Sequence, residues 1–164
     1  MFSFTEPRHY VNPSIFELTT DINDEDVAGP IAERLQVIYL SQVTQFIDYP
    51  TTIDGILYSS YYRPFISLQV ASQTHNLYLN VIFLIVPCSP CLYVCSDVVR
   101  HLGYTDTLPE TFNLLFNSKT HEAVTSPSNT HFYDLNLLGA SFLSKERANL
   151  IMNYANNTIS LSLE

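Results

Sequence analysis

A chain of 164 residues can bury one real core, and with 46% apolar and 13% aromatic residues it is too hydrophobic to be disordered throughout. Its formal net charge of −9, with only 7 Lys and Arg, argues against nucleic acid or an anionic membrane as the ordinary partner. Charged residues make up only 14% of the chain, so Ser, Thr, Asn and Gln carry its polar surface, which fits a protein covered by a protein partner or by copies of itself.

Residues 1–29 read as an N-terminal arm. They hold Pro7, Pro13 and the acidic cluster Asp24-Glu25-Asp26, yet Phe2, Phe4, Tyr10 and Phe16 are spaced along them as anchors. Residues 30–164 read as a single domain. Gly29-Pro30 opens a helix, with Ile31, Leu35, Ile38 and Phe46 on one face. Asp54-Gly55 then marks a turn. Three strands follow, Ile56–Tyr62, Phe65–Ala71 and Leu77–Val86, as an antiparallel meander. The last ends in an unbroken apolar run, which predicts a central strand covered on both faces.

Ser89-Pro90 reads as the start of a helix whose apolar stripe is Cys95, Val98, Val99 and Leu102, with Gly103 ending it. Thr107-x-x-Glu110 matches a capping box before Phe112, Leu115 and Phe116, which predicts a helix over Leu108–Asn117. His131–Leu138 reads as a strand. Ser144 caps a helix over Lys145–Ala155, with Ala148, Ile151, Met152 and Ala155 as its stripe, and Ile159, Leu161 and Leu163 alternate as a closing strand. The expected fold is therefore α+β: an antiparallel sheet with three or four helices.

The 3 cysteines lie in the most apolar stretch, Leu77–Gly103. Their odd number and the polar start of the chain suit a reducing setting, intracellular or inside a virion. A strand, then Cys88-Ser89-Pro90-Cys91, then a helix, resembles the local arrangement of the thioredoxin-like proteins over about Leu79 to Asn157. The resemblance implies a thiol–disulfide oxidoreductase using Cys88 and Cys91, with Pro127 standing for the proline such a fold sets beside its cysteines. A helix N-terminus would lower a thiol's pKa there. Against it, Cys88 abuts Pro87 at the end of an apolar strand, where burial would hide a thiol and raise its pKa. The plainer reading is three buried packing cysteines.

Cys88, Cys91, Cys95 and His101 also have the ligand types of a zinc site, but not a familiar spacing. Leu77–Cys95 is near the length of a membrane span, but Asn80, Pro87, Ser89 and Pro90 interrupt it. His121-Glu122 and Asp134 could serve acid–base chemistry if the fold gathered them. Tyr58, Tyr61 and Tyr62 could mark a contact surface. No catalytic, cofactor or metal residue is assigned from these signals. The sequence points instead to a non-enzymatic structural or assembly subunit acting through protein contacts, of the small viral capsid, cement or matrix kind. A thioredoxin-like oxidoreductase is the alternative.

Overall fold

The computed structural model describes residues 19, 21–43, 52–75 and 77–164. Most of the expected arm, with Phe2, Phe4, Tyr10 and Phe16, lies outside them, as does Phe46. The first described element is a helix, α1, built from Asp24–Asp26, Val27–Ile31 and Ala32–Leu35 in direct succession. It starts five residues before the expected Gly29-Pro30 opening. Asn23 accepts from the Asp26 N–H while the Asp26 carboxylate accepts from the Asn23 N–H, a reciprocal cap. Pro30 sits inside the helix, where the turn widens to π geometry around a residue that has no N–H to give. Gln36, at φ 57°, ends it.

The rest of the described residues are dominated by nine strands: β1 (Thr52–Tyr58), β2 (Arg63–Ser72), β3 (Tyr78–Ile85), β4 (Leu92–Val94), β5 (Thr111–Phe116), β6 (Lys119–Thr125), β7 (Leu137–Leu138), β8 (Asn149–Asn153) and β9 (Thr158–Ser162). Six of them close a barrel in the order β2-β3-β7-β4-β6-β5, with β5 returning to β2. Most pairs are antiparallel, but β3–β7 and β4–β6 are parallel. Outside the ring, β1, β9 and β8 extend the sheet from β2.

An antiparallel meander β1-β2-β3 and a doubly covered β3 agree with the sequence, but β1 runs over Thr52–Tyr58 where Ile56–Tyr62 was expected. Leu79, Val81, Phe83 and Ile85 point into the barrel core, while Ile82 and Leu84 join Ile22, Val27 and Ile31 in a second cluster under α1. Side chains alternate across a strand, so an apolar run is what two covered faces require. Asp54-Gly55 is no turn. It lies within β1, where a Cβ on Gly55 would collide with the Phe65 carbonyl oxygen. The reversal comes at residues 59–62, where Ser59 and Tyr62 adopt positive φ.

The expected α+β fold with three or four helices is overturned. Leu108–Asn117 contains β5, whose buried Phe112, Leu114 and Phe116 alternate with Thr111, Asn113 and Leu115. Residues 112, 115 and 116 share a helix face as well, which is how the segment misled. Lys145–Ala155 contains β8. The preceding helix, α3, covers Ala140–Lys145 and stops before Arg147, at φ 48°. Between β4 and β5 lies α2 (Ser96–His101), with Val98 and Val99 buried as expected but without the turn predicted from Ser89. Of His131–Leu138 only the last two residues are strand. Both α2 and α3 have six residues. Among the described residues, no helix is long and apolar enough to cross a membrane.

Candidate functional site

The run from Val86 to Cys91 leaves the barrel between β3 and β4, and main-chain hydrogen bonds hold it in place. The Val86 N–H donates to the Leu138 carbonyl at 3.0 Å, and the Ser89 N–H to the Val86 carbonyl at 2.9 Å. From the start of α3, the Ala140 N–H donates to the Ser89 carbonyl at 2.7 Å and the Ser141 N–H to the Pro90 carbonyl at 3.1 Å. Gly139 permits this approach, because a Cβ there would stand 2.7 Å from the Ser89 carbonyl oxygen. The loop is thus fixed by two elements far along the chain, and the face it presents is preorganised.

That face borders a cleft of about 340 Å³, lined by Val86, Cys88, Pro90, Tyr93, Phe132 and Leu137, with Thr19, Arg63, Ser89 and His131 among its polar members. Tyr93 and Phe132 pack with ring centroids 4.9 Å apart, and His131 stands edge-on to Phe132 at 5.2 Å. Arg63 is paired with Asp21 at 2.9 Å. Burial would raise the Asp21 pKa, but hydrogen bonds from Arg63 and Ser59 outweigh it and hold the carboxyl below its ordinary value. The Thr19 N–H donates to His131 Nδ1 at 3.3 Å, so Nδ1 is the acceptor nitrogen. A neutral His131 then carries its proton on Nε2, where it can serve as a donor.

The expected site residues are dispersed. Cys88 is exposed, Cys91 half-buried and Cys95 buried, and none of the three is in a disulfide. Cys88 therefore departs from the expectation of a hidden thiol. Cys91 leads into β4, not into a helix. The residue at a helix start is Cys95, whose N–H donates to Asn136 Oδ1 at 2.9 Å, and burial pushes its thiol pKa up. The thioredoxin-like arrangement is absent and the oxidoreductase alternative is withdrawn. His101 Nδ1 lies 2.8 Å from the Asp97 carbonyl oxygen, at the far end of α2. Among the described residues, no three His, Cys, Asp or Glu side chains gather as metal ligands.

His121 does find a carboxylate, but not the one beside it in sequence. Its Nε2 is 2.8 Å from Glu146 Oε1, while Lys119 Nζ donates to Glu146 Oε2 at 2.9 Å. Both His121 and Glu146 are buried, and His121 stacks against Phe142 with centroids 4.6 Å apart. Burial lowers the His121 pKa, and the nearby Glu146 only partly opposes it. Glu122 is exposed. Asp134 lies at the start of α1, where the Asp24 backbone hydrogen-bonds it, and burial raises its pKa. His121, Glu122 and Asp134 do not form one acid–base set. No local pattern flags Arg63, Tyr93, His131 and Phe132, because ring closure alone brings them to Cys88.

No family model and no curated protein matches this sequence. Among solved structures, a retropepsin-like aspartic protease from Rickettsia conorii is similar at 12% identity and a TM-score of 0.45, over 74% of this chain and 97% of that one. So slight a likeness carries no inference about activity. The expectation of a structural or assembly subunit of viral capsid, cement or matrix type is nevertheless corrected. It rested on a charge-poor surface and the absence of a site, and the structure shows a closed barrel with a braced cleft instead.

Proposed function

We propose that the chain is a ligand-binding β-barrel that holds an apolar ligand bearing one hydrogen-bond acceptor in the cleft beside Cys88. The observation that carries this is the braced loop 86–91 over an apolar wall of Tyr93, Phe132 and Leu137, with the His131 imidazole at its edge. A concave, mainly apolar, pre-formed site with few polar groups is the usual form of a small-molecule or peptide-side-chain pocket. Binding is a better reading than carboxylate-based hydrolysis. Such hydrolysis needs two carboxylates close enough to share a proton, and the described lining of the cleft has neither Asp nor Glu. Three cysteines outside any disulfide fit a reducing, intracellular setting, and the net charge of −9 makes nucleic acid an unfavourable partner.

The test is a fluorescence titration with anilinonaphthalene sulfonate, which joins apolar rings to one anionic acceptor. Saturable binding at one site is expected, weakened about tenfold by Phe132→Ala, equivalent to roughly 1.4 kcal/mol. Alkylation of Cys88 should block the same site. Binding that neither change affects would sink the proposal.

A further inference from the structure

The sheet beyond the barrel ends in β8, and among the described residues β8 pairs only with β9. Among the described residues nothing pairs its other edge, which can take a further strand. Natural edges are usually blunted by Lys, Pro, a bulge or a cover. Here the strand is Asn149-Leu150-Ile151-Met152-Asn153, with no charge and no proline.

Its pattern is also self-complementary. Antiparallel to a second β8 about a two-fold axis at Ile151, Asn149 would face Asn153, Leu150 would face Met152, and Ile151 would face itself. Each residue class meets its own kind on both faces of the strand. On the inner face, Leu150 and Met152 are only partly buried against the core that holds Leu161 and Ile159, so a second copy would complete their cover. On the outer face, Ile151 is 64% exposed in a row with Ser160 and Asp54. It is the apolar member of that row, and a two-fold mate would bury it. Isologous pairing requires a patch that matches itself, which an arbitrary partner strand would not need.

The geometry points to β8 as a homodimer edge: two copies of this chain join antiparallel through Asn149–Asn153, making one continuous sheet β1-β9-β8-β8-β9-β1. Five residues a side bury less than a standard interface of about 1,600 Å², so the dimer is weak, with a Kd on the order of 10–100 µM.

Sedimentation of the full chain over a concentration series up to about 1 mM should show a monomer–dimer equilibrium in that range. Ile151→Lys places like charges opposite each other and should weaken dimerisation at least tenfold. Ile151→Thr, which keeps a β-branched residue, should weaken it less. Both should leave the melting temperature of the dilute protein unchanged, because the side chain is exposed. In a Cys88→Ser background, Ile151→Cys should give a disulfide-linked dimer under mild oxidation, since facing residues in an antiparallel pair have Cα atoms about 5 Å apart. A chain that stays monomeric across the series overturns the inference. So does a dimer insensitive to Ile151→Lys, or one without the cross-link. None of these outcomes bears on the cleft, which lies elsewhere in the fold.

Discussion

Gly139 lies so close to Cys91 that a Cβ at position 139 would fall inside the Cys91 carbonyl oxygen. The obstacle is steric, not conformational, because Gly139 has an ordinary φ of −93°. The contact clamps the start of α3 onto the loop that shapes the cleft, so one glycine links the end of the chain to the proposed site.

Gly139→Ala should therefore destabilise the protein by about 3 kcal/mol, since the neighbour is backbone and cannot turn aside. Urea denaturation measures this. Gly29→Ala is the control: beyond its chain neighbours a Cβ there meets nothing within 4 Å, and the helix propensity it gains is offset by its contact with the Pro30 ring, so a change of under about 1 kcal/mol is expected. Equal effects at the two positions would refute the clamp.

Asn136 joins three partners through one buried side chain. Its Oδ1 accepts from the Cys95 N–H at 2.9 Å, and its Nδ2 donates to the Ile82 carbonyl and the Tyr39 hydroxyl, each at 3.0 Å. Asn136→Ala would leave a helix-start N–H and a strand carbonyl unpaired in the core. A loss of about 2–4 kcal/mol is expected. A loss under 1 kcal/mol would mean that water replaces the amide.

His121 sets a pH dependence whose sign is definite. Burial lowers its pKa in the folded state, while the unfolded chain titrates near the ordinary value of about 6.5. Below that value the unfolded state binds a proton that the folded state resists, so stability falls as pH drops from about 6.5 toward the folded pKa. Above about 6.5 the residue contributes no slope. His121→Phe, which keeps a ring against Phe142, should flatten the profile in the window below about pH 6.5. An unchanged slope in denaturation midpoints across that window would show that the imidazole is not its source.

The cysteines should react in the order of their exposure. Cys88 should be alkylated rapidly in the native protein, Cys91 more slowly, and Cys95 only on unfolding, because burial both hides its thiol and raises its pKa. Mass spectrometry of a timed alkylation series reads this directly. Early labelling of Cys95 would contradict its place behind Asn136.

Alternation made β2 and β9 legible in the sequence, and the unbroken apolar run did the same for β3 and its depth, because each pattern has one good geometric reading. The sequence by itself also determined the apolar face of α2, through Val98 and Val99. For Phe112–Phe116 and Ala148–Ala155 it pointed to helices, since short apolar sets that fit a period of 2 can also fit one of 3.6. Ring closure, with β5 between β6 and β2 and β8 against β9, decided for strand. The cleft was decided at that level alone. Thr19, Arg63, Cys88 and Phe132 are remote in sequence, and only a sheet that closes on itself brings them to one wall. The pairing of His121 with Glu146 has the same origin: local pattern offered Glu122, but neighbours on a strand point to opposite faces, and the buried face met a residue just past α3.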